Sequence, residues 1–215
     1  MEISKVMSKV FLWMFLGLVV TFGTGYYVST QENMLYNIFS NNMYFFLIIA
    51  EFVLVIVLSA RVRKMNPMTA KIMFLLYSFV TGLTFASIFV AFALESIMFV
   101  FLITAILFGM FVLFGHFTKL DLTKISTFLL MGLIGIIICI IVNYFIGSET
   151  FDIVISCISV VIFLGFTAYD IQKIKLLSYN FENEDNLAII GALELYLDFI
   201  NIFLDLLRLF GKSND

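Results

Sequence analysis

Apolar residues run along this chain in seven long stretches separated by short polar connections. The stretches cover about Val10 to Val28, Met43 to Ala60, Thr69 to Phe92, Ser96 to Phe117, Ile125 to Ile146, Phe151 to Leu176 and Leu187 to Phe210. Each falls near the roughly 17–25 residues that a helix needs to cross the hydrocarbon core of a bilayer. The pattern predicts an all-α polytopic membrane protein with seven transmembrane helices, one domain over residues 1–215. No small-residue cleavage site follows the first stretch, which therefore reads as a retained span and not a signal peptide. Pro67, the single proline, reads as part of the connection to the third span, where its missing N–H does no harm.

The last stretch departs from the others. Glu194, Asp198, Asn201, Asp205 and Arg208 recur at steps of four, three, four and three. Wound at 100° per residue they lie within about 80° of arc, and the rest of the surface is Leu, Ile, Phe and Tyr. Gly191 lies at the edge of this seam, where another backbone could come close. A central Asp costs about 2.5–3.5 kcal/mol to insert, so the seam has to face protein or water. An amphipathic helix lying on the membrane surface would carry a broad, Lys/Arg-rich polar face; this seam is narrow and acidic, as suits an inner helix. The sixth stretch has a seam of its own, since Asp152, Ser156, Ser159, Thr167 and Asp170 also fall within about 80°. Two seams on consecutive helices suggest a shared hydrated path, although Ser and Thr in spans also bond their own helix carbonyls. Asp205 and Arg208, three apart, can neutralise each other.

Composition agrees and narrows the class. At 63% hydrophobic and 13% charged residues, with a mean hydropathy of +1.13, the chain cannot clothe a soluble domain in polar side chains. Its net charge of −3 gives no basic footprint for nucleic acid. Cys139 and Cys157 sit inside apolar stretches and read as small buried hydrophobes, with no disulfide framework and no zinc site. His116 ends an apolar stretch as an interfacial residue or a pH sensor. Gly109, Gly132 and Gly135 read as helix-packing positions.

Lys and Arg count 2, 0, 4, 0, 2, 0 and 2 in the N-terminal segment and the six connections that follow it. By the positive-inside rule this alternation puts the N-terminus in the cytoplasm and the C-terminus on the far side. Arg61 then ends the second span at the inner face. Asp170 and Asp198 lie in the inner half of the sixth and seventh spans, with Glu194 one turn from Asp198. Spacing leaves open whether Glu194 or Asp198 faces Asp170.

The sixth-span end AYDIQKIK and the seventh-span sequence ALELYLDFINIFLDLLRLFG resemble the signature of the transmembrane Bax inhibitor motif family, in its bacterial form. Glu51 in the second span, the basic cluster after it and YSFVTGLTFAS in the third extend the resemblance over essentially the whole chain. The resemblance implies a seven-helix fold with the C-terminal helix central and a pH-sensitive calcium leak. It implies a pH sensor made of Asp170 and Asp198, on which Arg61 of the second helix closes as a latch, with Arg63 as the competing cation. The sensor pair would also be the weak Ca²⁺ station, Ca²⁺ being the permeating ion and not a resident cofactor, and Glu51, Glu194, Asn201 and Asp205 would line or support the path. The partners expected are the lipid bilayer, Ca²⁺, protons and other membrane proteins, in a bacterial cytoplasmic membrane.

Chemistry argues for the pair independently. Two carboxylates at hydrogen-bond distance in a poorly hydrated site share one proton and titrate as a unit, and when ionised they offer hard oxygen ligands to Ca²⁺. Conduction asks for weak, multisite binding. An intramembrane aspartyl protease would also use two carboxylates sharing a proton. Tyr169 and Asp170 fit its first motif, but Leu195, Tyr196 and Leu197 stand before Asp198 where that chemistry uses Gly-x-Gly, so no enzyme is expected. A retinal-type receptor is disfavoured for want of a Schiff-base lysine in the seventh span. A third reading is a regulatory protein that binds membrane proteases or cell-death machinery.

Overall fold

The computed structural model describes residues 3–40, 42–179, 181 and 183–214; Asn41 of the first polar connection, and Asn180 and Glu182 of the last, lie outside them. Eight α-helices follow in order: α1 (Ile3–Ser29), α2 (Glu32–Ser40), α3 (Met43–Arg61), α4 (Pro67–Ala91), α5 (Leu94–Phe117), α6 (Ser126–Ile146), α7 (Glu149–Leu177) and α8 (Glu184–Phe210). All but α2 are long and apolar enough to cross a membrane. The seven expected spans are all present, and no strand occurs among the described residues. The first span starts seven residues earlier than its hydropathy suggested, because Lys5 and Lys9 continue the helix. The unexpected element is α2, which at nine residues is too short to register as a periodic stretch.

Local chemistry sets the helix ends. Pro67 is the first residue of α4 and not part of the connection, a position where its missing N–H is one of the orphan donors anyway. The Asn66 side chain caps the same end by accepting from the Met68 amide at 2.9 Å. Gly147 ends α6 in the left-handed conformation at φ 69°, its amide donating to the Asn143 carbonyl at 2.7 Å. Asn183 accepts from the amides of Asp185 (3.0 Å) and Asn186 (3.3 Å), opening α8.

The chain divides into two compact units. The first comprises Met1–Ala93, Leu177–Tyr196 and Ser213–Asp215; the second comprises Leu94–Leu176 and Leu197–Lys212. Helix α8 therefore serves both. It is also the most buried span, with 78% of its apolar window inside the protein against 6% for α3, which makes the C-terminal helix the central one. Its Leu195, Tyr196, Ile202, Phe203 and Leu207 are all but inaccessible. A helix that is buried all round is one that other helices enclose.

In the first unit α1 and α4 pack through small residues. A Cβ on Gly82 would lie 2.6 Å from the Thr24 side chain and 2.8 Å from the Thr21 carbonyl, so these backbones approach as only glycine permits. In the second unit Gly115 of α5 lies against the Ala168 backbone of α7, leaving no room for a side chain. The glycines with packing roles are thus partly others than expected. Gly132 does meet a neighbour, Ile162, but Gly109 and Gly135 face open space. Cys139 is half-buried and Cys157 is exposed, which corrects the reading of both as buried hydrophobes: an apolar residue on a span looks the same in sequence whether it faces lipid or protein.

Candidate functional site

The second unit holds a row of acidic side chains inside the protein. Asp170 of α7 is 6% exposed, and Asp198 and Asp205 of α8 are 5% and 8% exposed. Asp170 sits two residues beyond the Gly115–Ala168 contact, so the tight approach of α5 and α7 fixes the backbone that carries it. Lys173, one turn on, brings its ammonium to 3.8 Å from the Asp170 carboxylate and stands 5.8 Å over the Tyr169 ring. Sequence reasoning counted Lys173 only toward membrane orientation; its i,i+3 spacing from Asp170 was the signal for this role.

At the far end of α8, Asp205 lies 3.8 Å from Arg208, whose guanidinium also donates to Ser156 at 3.2 Å. Asp205 is further hydrogen-bonded by the hydroxyls of Ser159 and Ser156 of α7. Here the two polar seams meet. Elsewhere the α7 seam turns to other work. Thr167 donates to the Phe163 carbonyl of its own helix at 2.9 Å, and Asp152 accepts from Asn143 of α6 at 2.6 Å. Asn201 likewise uses an amide hydrogen on the Leu197 carbonyl, 2.7 Å away on its own helix.

The remaining expected residues, His116 apart, belong to the first unit. Arg61 ends α3 and is exposed, as is Arg63, which stacks over Phe181 at 5.5 Å. Glu194 is half-buried on α8. Glu51 is half-buried on α3 and lies 2.8 Å from the Thr84 hydroxyl of α4. Thr81, Thr84 and Tyr77 around it were singled out by no expectation, although Thr81 and Thr84 recur at helical spacing within YSFVTGLTFAS. His116 is exposed at the end of α5, its carbonyl accepting from Lys175 at 2.8 Å. Among the described residues no three His, Cys, Asp or Glu side chains gather into a set able to hold a metal ion.

Seven apolar spans with carboxylates buried among them define an all-α polytopic protein integral to a membrane. The family described as inhibitor of apoptosis-promoting Bax1 matches residues 3–215. An inner membrane protein of Escherichia coli strain K12, YbhL, is 42% identical over 212 residues, covering 96% of this chain and 91% of its own. A protein of Borreliella burgdorferi is 42% identical over 217 residues, covering 99% and 94%. One from Deinococcus radiodurans is 34% identical over 217 residues, covering 100% and 93%. The chain belongs to the Bax inhibitor family.

Proposed function

We propose that this protein is a pH-sensitive calcium leak of a bacterial cytoplasmic membrane, with Asp170 and Asp198 as its proton sensor. The observation that carries the reading is the burial of both carboxylates within one compact unit, on consecutive spans. Ionised carboxylates are costly inside a bilayer and mark ion and proton paths when they occur there. Of the two acidic residues that could partner Asp170, Asp198 is the one that shares its unit. Sharing one proton, the pair would release its hold on a cation as pH falls and regain it as pH rises. Asp205 and Glu194 would add oxygen-bearing stations for a weakly held Ca²⁺, and the proposed orientation puts the N-terminus in the cytoplasm.

The test is Ca²⁺ entry into liposomes carrying the purified protein, measured across pH for the native chain, Asp170→Asn and Asp198→Asn. Flux that varies with pH, and that either amide flattens, supports the sensor. Arg61→Gln and Arg63→Gln, assayed alongside, identify the basic residue whose loss shifts the pH profile. Silence of the native, folded protein at every pH refutes conduction by the isolated chain. The family's description as an inhibitor of an apoptosis-promoting protein favours the second reading in that event: a regulator acting through membrane-protein partners, which a partner-free liposome does not reveal.

A further inference from the structure

A second polar cluster lies in the first unit and has no part in the reading above. Glu51 projects from α3 toward Thr81 and Thr84 of α4. The titratable groups that face it are the hydroxyls of Tyr77 on α4 and Tyr196 on α8. Its hydrogen-bond and charge partners include no Lys, Arg or His among the described residues. Glu32 of α2, and Arg63 and Lys64 of the turn after α3, are exposed at the ends of their elements. A carboxylate here has the hydroxyls of Thr84 and Thr81 beside it, and among the described residues no salt bridge joins it to a cation.

Counting hydrogens shows what neutralises Glu51. Thr84 Oγ1 lies 2.8 Å from Glu51 Oε1 and 2.8 Å from the Thr81 carbonyl oxygen. A threonine hydroxyl carries one hydrogen and two lone pairs. If Glu51 were a bare carboxylate, that hydrogen would serve only one of two acceptors, and the other pair of oxygens would face each other at 2.8 Å with nothing between them. Thr81 sends its own hydrogen to the Tyr77 carbonyl at 3.0 Å, so it supplies none to this contact. Thr84 thus has a carbonyl of its own helix for its hydrogen and a lone pair for Glu51. The missing hydrogen has to come from the carboxyl.

We propose that Glu51, Thr81 and Thr84 form a proton-binding site in the second and third spans, separate from the Asp170–Asp198 pair, with the Glu51 carboxyl donating to the Thr84 hydroxyl. Beyond it the polar chain continues through Tyr196, whose hydroxyl meets Thr21 at 2.6 Å; Thr21 in turn donates to the Ser78 carbonyl at 2.9 Å. Here hydrogens and acceptors balance without a further proton. The site binds one proton at Glu51 and the rest of the chain orders around it.

Infrared absorption of the protein in lipid nanodiscs, in H₂O and D₂O, tests this without any flux assay. The expected result is a protonated-carboxyl C=O band, shifted by deuterium, that survives in the Asp170→Asn/Asp198→Asn double variant and is lost in Glu51→Gln. Thr84→Val should move the band and Thr84→Ser restore it, which gives a second readout if Glu51→Gln does not fold. A spectrum in which Glu51→Gln removes no such band overturns the proposal. So does a band that sodium chloride abolishes at constant pH, because the site would then take a monovalent cation instead of a proton.

Discussion

The Lys71 ammonium stands 2.6 Å from one oxygen of Asp185, and Lys9 stands 2.7 Å from the other. One carboxylate in the first turn of α8 thus ties α1 and α4 to the central helix. Lys9 also reaches Glu184 at 3.3 Å, and Lys71 stands 5.7 Å over the Trp13 ring. These groups are only partly covered, so each bridge is worth about 0.2–1 kcal/mol. Asp185→Asn should lower thermal stability in detergent by about 1 kcal/mol at low salt. The difference from the native protein should shrink in molar salt, where screening acts over about 3 Å; a salt-independent loss would mean that packing is responsible.

Next to this clasp, Asn186 donates to the carbonyls of Val62 and Met65, both at 2.9 Å, and so holds the turn that follows Arg61. Asn186→Leu removes this donor from both carbonyls, of which that of Val62 keeps the Met65 amide at 3.3 Å, and should cost about 1–3 kcal/mol. Limited proteolysis at residues 62–66 should accelerate in this variant and stay slow in the native protein.

Gly115 and Gly109 lie on the same helix and should respond oppositely. Gly115→Ala drives a methyl into the Ala168 backbone, which has no side-chain end to yield; overpacking of this kind costs about 1–3 kcal/mol. Gly109→Ala meets nothing within 4 Å and should leave the unfolding midpoint unchanged or slightly raised. Paired melting curves decide it.

Arg208 and Asp205 should also be unequal. Arg208→Met strips the buried Asp205 of its cation while the carboxylate remains, whereas Asp205→Asn keeps a group able to bond Ser156 and Ser159. The first should be the more destabilising by about 1–2 kcal/mol, because a buried charge left without its partner costs more than the pair contributes. The double variant should recover part of the loss of Arg208→Met in a double-mutant cycle.

Hydropathy alone made the seven spans legible, because a bilayer leaves a helix few alternatives. The 3.6-residue period also placed Ser156, Ser159 and Asp205 on seams that do meet. It could not separate them from Thr167, which lies on the same arc yet bonds its own helix, because that choice depends on what lies opposite. The glycines show the same limit. Gly109 and Gly115 are indistinguishable along the chain, and only the neighbouring helix makes one a contact and the other a gap. Pro67 was misplaced by one element because a connection and a helix's first turn tolerate proline equally well. Tyr77, Thr81 and Thr84 passed unremarked since hydroxyls in a span carry no signal until a carboxyl stands against them.

The first compact unit is assembled from residues near both ends of the chain, and synthesis runs in one direction. While residues 1–93 are already outside the ribosome, Lys9 and Lys71 have no Asp185 to hold them together, and the cleft that Tyr196 fills is vacant. More than eighty residues of other spans must be made before the missing helix arrives. The unit therefore cannot close before residue 185 has been made. A nascent chain arrested short of residue 185 should expose these lysines to chemical labelling and to membrane quality control, and the arrival of α8 is the step that closes the first unit.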